Sequence, residues 1–322
     1  MRHSIASAPG KCILFGEHAV VYGYPALAIA IDIFSSCQIS ESEQNGISLI
    51  LKNYEHSFNF SNINDLYDNI PPKFNQIALG LKLISKKYKI LIKKIEIKIQ
   101  SDLWPESGLG SSASSSIALL GALNEFYNLN LNSKDISNLS YKMEKEVHGK
   151  PSGIDNTTCS QGGLIFFKNQ EFQRFDFLKQ FKILITYSGE THNTKEAIRN
   201  VKEFCNKEPK LSTELFNKIR KITEKGLEEL KHVNLVEIGH LMNSNHQILN
   251  EIGLSTPDIE KITKISRSNN ANGSKLTGAG KGGCVISIGK LNDLKNIKEK
   301  LKNLGYSSII TSINNQGVMY GK

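Results

Sequence analysis

The segment from Trp104 to Tyr127, WPESGLGSSASSSIALLGALNEFY, constrains this chain more than any other. Gly108 and Gly110 flank Leu109 and lead into Ser111, Ser112 and Ala113. Ile117, Leu119, Leu120, Leu123 and Phe126 then supply apolar residues dense enough for a packed helix. The glycines therefore stand at a helix entrance. A helix start leaves backbone N–H groups without partners and carries partial positive charge, and glycine lets an anion approach without a Cβ in the way. The segment reads as a phosphate cradle, with serine hydroxyls as added donors or a magnesium ligand. A serine-capped helix after a glycine-rich turn is the alternative it leaves open by itself.

Partners for such a cradle lie along the chain. Ser4 to Leu14 reads as a strand, a turn at Ala8-Pro9-Gly10 and a second strand beginning at Lys11. Glu17 and His18 then interrupt an apolar run bounded by glycines, which marks a site more than a surface loop. Short alternating runs around Asn45-Gly46 predict a hairpin between Ser35 and Phe60. Asn75 to Tyr88 has helical spacing, and Lys94 to Gln100 alternates as a half-buried strand that delivers the chain to the cradle. A helix opening at Ser133 carries Glu144 and Glu146, and the turn after it presents Asp155. Two carboxylates so placed can converge.

In the second half, Phe181 to Thr186 predicts a strand, followed by a polar loop and helices from Glu196, Thr213, Leu235 and Pro257. His192, His240 and His246 lack metal spacing and read as ordinary histidines. Gly278, Gly280 and Gly283 fit GxGxxG, but Val285 to Ile288 continues as a strand where a dinucleotide fingerprint needs a helix. Gly280-Lys281 is followed by Gly, not the Ser or Thr of a Walker loop. This second glycine loop is expected to lie against the first.

Charge and cysteines narrow the class. The 40 Lys plus Arg against 31 Asp plus Glu give +9, yet the lysines are spread among Ile, Leu and Asn, which argues against a nucleic-acid partner. Five cysteines with no CxxC pair argue against a disulfide framework or a zinc site. The most apolar early run, Ala26 to Ile31, is far short of the roughly 20 residues that span a bilayer, so no membrane partner and a cytoplasmic setting are expected. A length of 322 residues allows about two domains.

The assembled parts suit phosphoryl transfer: donors and a cation for phosphates, hard oxygen ligands for Mg²⁺ in Ser112 and Glu144, and a base in Asp155. The blocks PGKCILFGEHAVVYG, GLGSSAS and KLTGAGKGGCVISI resemble the three motifs of the GHMP small-molecule kinases. GEHAVVYG, where a galactokinase would be expected to read GEHTDYNG, and HGKPSGIDN are similar to the branch that acts on mevalonate. A sister kinase for phosphomevalonate, homoserine or a sugar would keep the cradle and change these two segments.

The resemblance implies ATP-dependent phosphorylation of the C5 hydroxyl of mevalonate, with Mg²⁺ as cofactor, ATP and mevalonate as partners, and room for a homodimer. By motif position Asp155 would be the base, and Lys11 would keep it ionised. Ser112 and Glu144 would bind the metal, and Pro105, Glu106, Ser107, Gly108, Leu109, Gly110, Ser111, Ser112 and Ala113 would hold ATP. Lys11, Glu17, His18, Asp155, Thr194, Gly278, Ala279 and Gly280 would border the substrate. One departure is Lys281, where the third motif usually has glycine. The implied fold is α+β, the two-domain GHMP kinase fold. Residues 1–175 would form a ribosomal-protein-S5-domain-2-like domain with a left-handed crossover, and residues 176–322 a ferredoxin-like domain.

Overall fold

The computed structural model describes residues 2–148, 151–169, 171–177, 181–191 and 194–321. The first part of the chain builds β1 (His3–Phe15), β2 (Ala26–Glu41), β3 (Ile47–Leu51), β4 (His56–Phe60), α1 (Ile63–Asn69), α2 (Asn75–Tyr88), β5 (Ile95–Ser101), α3 (Ser111–Tyr127), α4 (Ser133–His148), α5 (Ile154–Gln161), β6 (Leu164–Lys168) and β7 (Glu171–Phe175). The second part builds β8 (Lys182–Tyr187), α6 (Thr194–Lys207), α7 (Pro209–His232), α8 (Leu235–Glu251), α9 (Pro257–Ser268), β9 (Gly273–Thr277), β10 (Cys284–Ile288), α10 (Leu291–Asn303), β11 (Ser307–Ser312) and β12 (Met319–Tyr320).

The first sheet runs β12-β1-β2-β5-β3-β4, with β6 on β2 and β7 on β6. Two expectations are corrected here. Ala8-Pro9-Gly10 is no turn: β1 passes through it as one strand, and the ladder to β2 shifts register between Pro9 and Gly10. Such a bulge takes up a residue that cannot donate to the ladder. Nor does Asn45-Gly46 close a hairpin, because β5 lies between β2 and β3, antiparallel to one and parallel to the other. The hairpin is β3 with β4.

The second sheet runs β11-β8-β10-β9, antiparallel throughout. With helices between β8 and β9 and α10 between β10 and β11, this is the ferredoxin-like β-α-β-β-α-β plan. The expected division after residue 175 follows β7, but β12 crosses back to pair with β1 at Ala6 and Ser7.

Two apolar layers fix where the site falls. Under the first sheet, Ala118, Leu119, Leu120 and Leu123 of α3 pack with Ile39, Leu49 and Ile97, each fully buried aliphatic side chain contributing roughly 1.5–3 kcal/mol of transfer free energy. A second core joins Leu14, Phe15, Leu27 and Ile29 to Ile183, Ile185, Ile286 and Ile288 of the other sheet. β1 is buried from Ala6 to Phe15, entering the first core at Ala6 and Ala8 and the second at Cys12, Leu14 and Phe15, with Lys11 between them.

Candidate active site

Lys11 is 2% exposed. Its Nζ lies 3.2 Å from Asp155 Oδ1 and donates to the Gly108 carbonyl at 2.9 Å. Burial alone would lower this ammonium's pKa, but the charge and hydrogen bond of Asp155 outweigh it and hold Lys11 above the ordinary lysine value. The Asp155 carboxylate keeps 30% exposure. It stands in the first turn of α5, which opens at Gly153 in the left-handed conformation, not on a free turn as the sequence suggested. A carboxylate at a helix start is favoured by the unpaired N–H groups there.

Glu144 of α4 shares this neighbourhood. Burial, then the charge of Asp155, push its carboxyl up to about 8, with Lys11 opposing. Its Oε2 is buried and has no hydrogen-bond partner. A buried acceptor without a donor is costly, and a divalent cation would satisfy it. The donor set therefore fits Mg²⁺, which is held by one or two carboxylates plus phosphates and water in most sites. Among the described residues no group of three or more His, Cys, Asp or Glu is placed to hold a metal, so phosphate oxygens would complete the shell.

The glycine loop is oriented by Lys11 at both ends of that residue. Its backbone N–H donates to the Leu109 carbonyl at 2.9 Å, as its Nζ does to Gly108. Both carbonyls thus point at β1. In trans peptides the next N–H points the opposite way, so the amides of Leu109 and Gly110 are turned from the strand. Gly110, at φ 72°, caps α3 without a side-chain bond, and no acidic residue stands in the first turn. Donors and positive partial charge are left for an anion.

The expected ATP residues divide by role. Pro105 and Glu106 are exposed, Ser111 is half-buried and Ser112 is exposed. Ala113 and the Leu109 side chain are buried in the cores. Ser107 is buried and spends its hydroxyl on the Trp104 carbonyl at 2.6 Å, so it shapes the loop from within.

The third motif meets the first two. Residues 278–283 connect β9 to β10, a strand-to-strand loop as expected. A Cβ on Gly278 would stand 2.9 Å from Gly108 Cα, so the two glycine loops touch backbone to backbone. Thr277 Oγ1 accepts from the Ile13 amide at 2.9 Å and donates to its carbonyl at 3.0 Å. His18 Nε2 donates to the Ala279 carbonyl at 2.7 Å, and burial, against that bond, lowers its pKa. Lys281 adopts φ 57° and its amide donates to Leu254 at 2.7 Å.

Glu17 departs from expectation. Its carboxylate is fully buried, paired with Lys275 Nζ through Oε1 and accepting from Asn245 Nδ2 at 3.1 Å through Oε2. Fully buried and paired at both oxygens, Glu17 braces the loop beneath His18. Burial lowers the Lys275 pKa, opposed by Glu17. Thr194 begins α6 and is exposed; no described bond joins it to Lys11 or Asp155. Gly149, Lys150, His192 and Asn193, which belong to segments singled out in the sequence, lie outside the described residues. Sequence reasoning missed Lys275, whose charge inside the strand GSKLT was the available signal, and Gln76, whose place on α2 carried none.

A glycine-opened helix start facing a lysine-held carboxylate is equipment for moving a phosphoryl group onto an alcohol, and two independent matches agree. The model of the GHMP kinases N terminal domain matches residues 75–163 and that of the GHMP kinases C terminal domain residues 227–307. The chain belongs to the GHMP kinase family. Within it, relatives that match over nearly the whole chain include mevalonate kinases. That of Methanocaldococcus jannaschii is 36% identical over 315 residues, covering 95% of this chain and 97% of its own. A crystal structure of mevalonate kinase superposes with a TM-score of 0.87 at 34% identity, covering 97% of this chain and 99% of that one. The L. major mevalonate kinase, solved in complex with R-mevalonate, gives 0.82 at 26% identity, with 97% and 95% covered.

Proposed function

We propose that this protein transfers the γ-phosphoryl group of ATP to the C5 hydroxyl of mevalonate, giving 5-phosphomevalonate and ADP for isoprenoid synthesis by the mevalonate pathway. The observation that carries the reading is the Lys11 ammonium, which binds the Asp155 carboxylate and the Gly108 carbonyl at once. One cation thereby sets the proton acceptor against the phosphate loop.

The substrate hydroxyl lies between Asp155 and the γ-phosphorus. As its oxygen bonds to phosphorus, Asp155 accepts its proton, and the bond to the bridging oxygen breaks with its electron pair leaving on ADP. Lys11 pairs with Asp155 and offsets negative charge on the attacking oxygen. The amides of residues 109–113 hold the phosphates. Glu144 and Ser112 are the residues that would hold Mg²⁺, which when bound neutralises charge on the phosphate oxygens. By motif position His18, residues 278–280 and Thr194 border the acceptor. Positioning and charge supply most of the rate, since the loose transition state asks little covalent help.

The setting is cytoplasmic on this reading: all five cysteines are free, four of them buried, as a reducing compartment allows. No described helix is long and apolar enough to cross a membrane. The test is ADP release with Mg-ATP and, in parallel, mevalonate, phosphomevalonate, homoserine and galactose. Turnover with mevalonate alone is expected; turnover with another acceptor in its place would overturn the substrate assignment.

A further inference from the structure

Ser112 stands at the second position of α3, exposed, and its hydroxyl donates to Oε1 of Gln76, the second residue of α2. The same Oε1 accepts from Ser116, one turn further along α3, at 3.3 Å. Gln76 is half-buried, and no step described above uses it. A serine hydroxyl has one proton and two acceptor lone pairs. When the proton is committed to Gln76, both lone pairs are left for a cation. When that acceptor is removed, the O–H is free to turn toward phosphate oxygens, and an oxygen whose proton faces the same cluster of charge is a poorer metal ligand.

We propose that Gln76 is a positioning residue that fixes the Ser112 hydroxyl with its proton turned away from the metal, so that the serine oxygen is ready to ligate Mg²⁺. This rests on the reading of Ser112 as a magnesium ligand. Partners that hydrogen-bond to metal ligands orient them, and their loss lowers metal affinity or activity by about 10- to 100-fold. Gln76 also has a purely architectural alternative, as a tether between α2 and α3, and the two roles separate by what they move. A tether changes stability. An orienting acceptor changes how much the metal improves nucleotide binding.

The measurement is the dissociation constant of ADP for the full-length protein by calorimetry, in MgCl₂ and in EDTA, the ratio of the two reporting the metal's contribution. Gln76→Leu is expected to reduce that ratio by about 10-fold, while Gln76→Glu, whose carboxylate accepts the same bond, keeps it. Ser112→Ala and the double variant Ser112→Ala/Gln76→Leu are expected to match each other, because both remove one shared contact. An intact ratio in Gln76→Leu beside a reduced one in Ser112→Ala would overturn the proposal and leave the serine assignment standing, as would a fall in Tm with the ratio unchanged. An intact ratio in Ser112→Ala would overturn both.

Discussion

Replacing Gly110 by alanine separates the role of the glycine loop in folding from its role at Lys11. Gly110 has φ 72°, and a Cβ there would lie 2.9 Å from Lys11 Cγ, 3.3 Å from Lys11 Cε and 3.4 Å from Cys159 Sγ. The left-handed backbone costs an alanine about 1–2 kcal/mol. To restore an ordinary carbon–carbon separation Lys11 would have to retreat by roughly 0.6–1 Å. It cannot do so freely, since its amide is held by Leu109 and its ammonium by Gly108 and Asp155. A misplacement of about 1 Å near reacting atoms costs on the order of 100-fold in rate. Gly305 supplies the control: φ is 88° and nothing lies within 4 Å of the site a Cβ would take. Urea unfolding and steady-state ADP release would be measured for both variants. Gly305→Ala is expected to lose about 1–2 kcal/mol of stability, Gly110→Ala that amount plus the cost of displacing Lys11, and only Gly110→Ala to lose kcat, by about 100-fold. A Gly110→Ala enzyme that kept most of its kcat would refute the claim that this glycine makes room for the lysine.

Two further outcomes are accessible. Lys281 occupies φ 57° with a side chain, so Lys281→Gly relieves about 1–2 kcal/mol of strain against about 0.5–1 kcal/mol of added chain entropy. A small net stabilisation with unchanged ATP affinity is expected, and weaker ATP binding would instead place this lysine on phosphate. His246 is buried, donates through Nε2 to Glu260 at 2.9 Å, and accepts at Nδ1 from the Leu276 amide at 3.3 Å. Burial lowers its pKa from 6.5 to about 4, opposed by Glu260. Between those values the unfolded chain holds the proton that the native chain lacks, so stability falls as pH drops from 6.5 toward 4, by up to about 3 kcal/mol. Denaturant titrations of His246→Gln across that window should show a flatter slope, and an unaltered slope would rule the histidine out as its source.

The elements with strong periodicity were legible. Ile77, Leu81 and Ile84 mark α2 with its observed ends, and Ile95, Ile97 and Ile99 mark β5. The glycine-opened start of α3 was legible too, because an uncapped helix start needs glycine and small polar residues in contiguous sequence. What escaped was set by contacts distant in the chain. The insertion of β5 between β2 and β3 overrides a local Asn-Gly turn signal. The return of β12 to β1 pairs Tyr320 with Ala6 and Met319 with Ser7, a partnership that no pattern in Met319 and Tyr320 announces. The pairing of Asp155 with Lys11 was expected, yet its helical setting was not, since Ile-Asp-Asn-Thr-Thr has little helix propensity and α5 is held by burial of residues such as Ile154, Thr158 and Cys159. Glu17 looked like a site residue because a carboxylate amid apolar neighbours needs a partner; that partner, Lys275, is 258 positions away.

In the proposed mechanism Asp155, held by Lys11, takes the proton of the substrate hydroxyl. Single-turnover phosphoryl transfer by Asp155→Asn, with ATP affinity and the urea midpoint measured on the same protein, tests it most directly. Asparagine keeps an acceptor for Lys11 at the same place but cannot take up a proton. The expected result is a transfer rate lower by about 100- to 10,000-fold with nucleotide binding and folding retained, and a variant that transfers phosphate at near the parental rate would contradict the account.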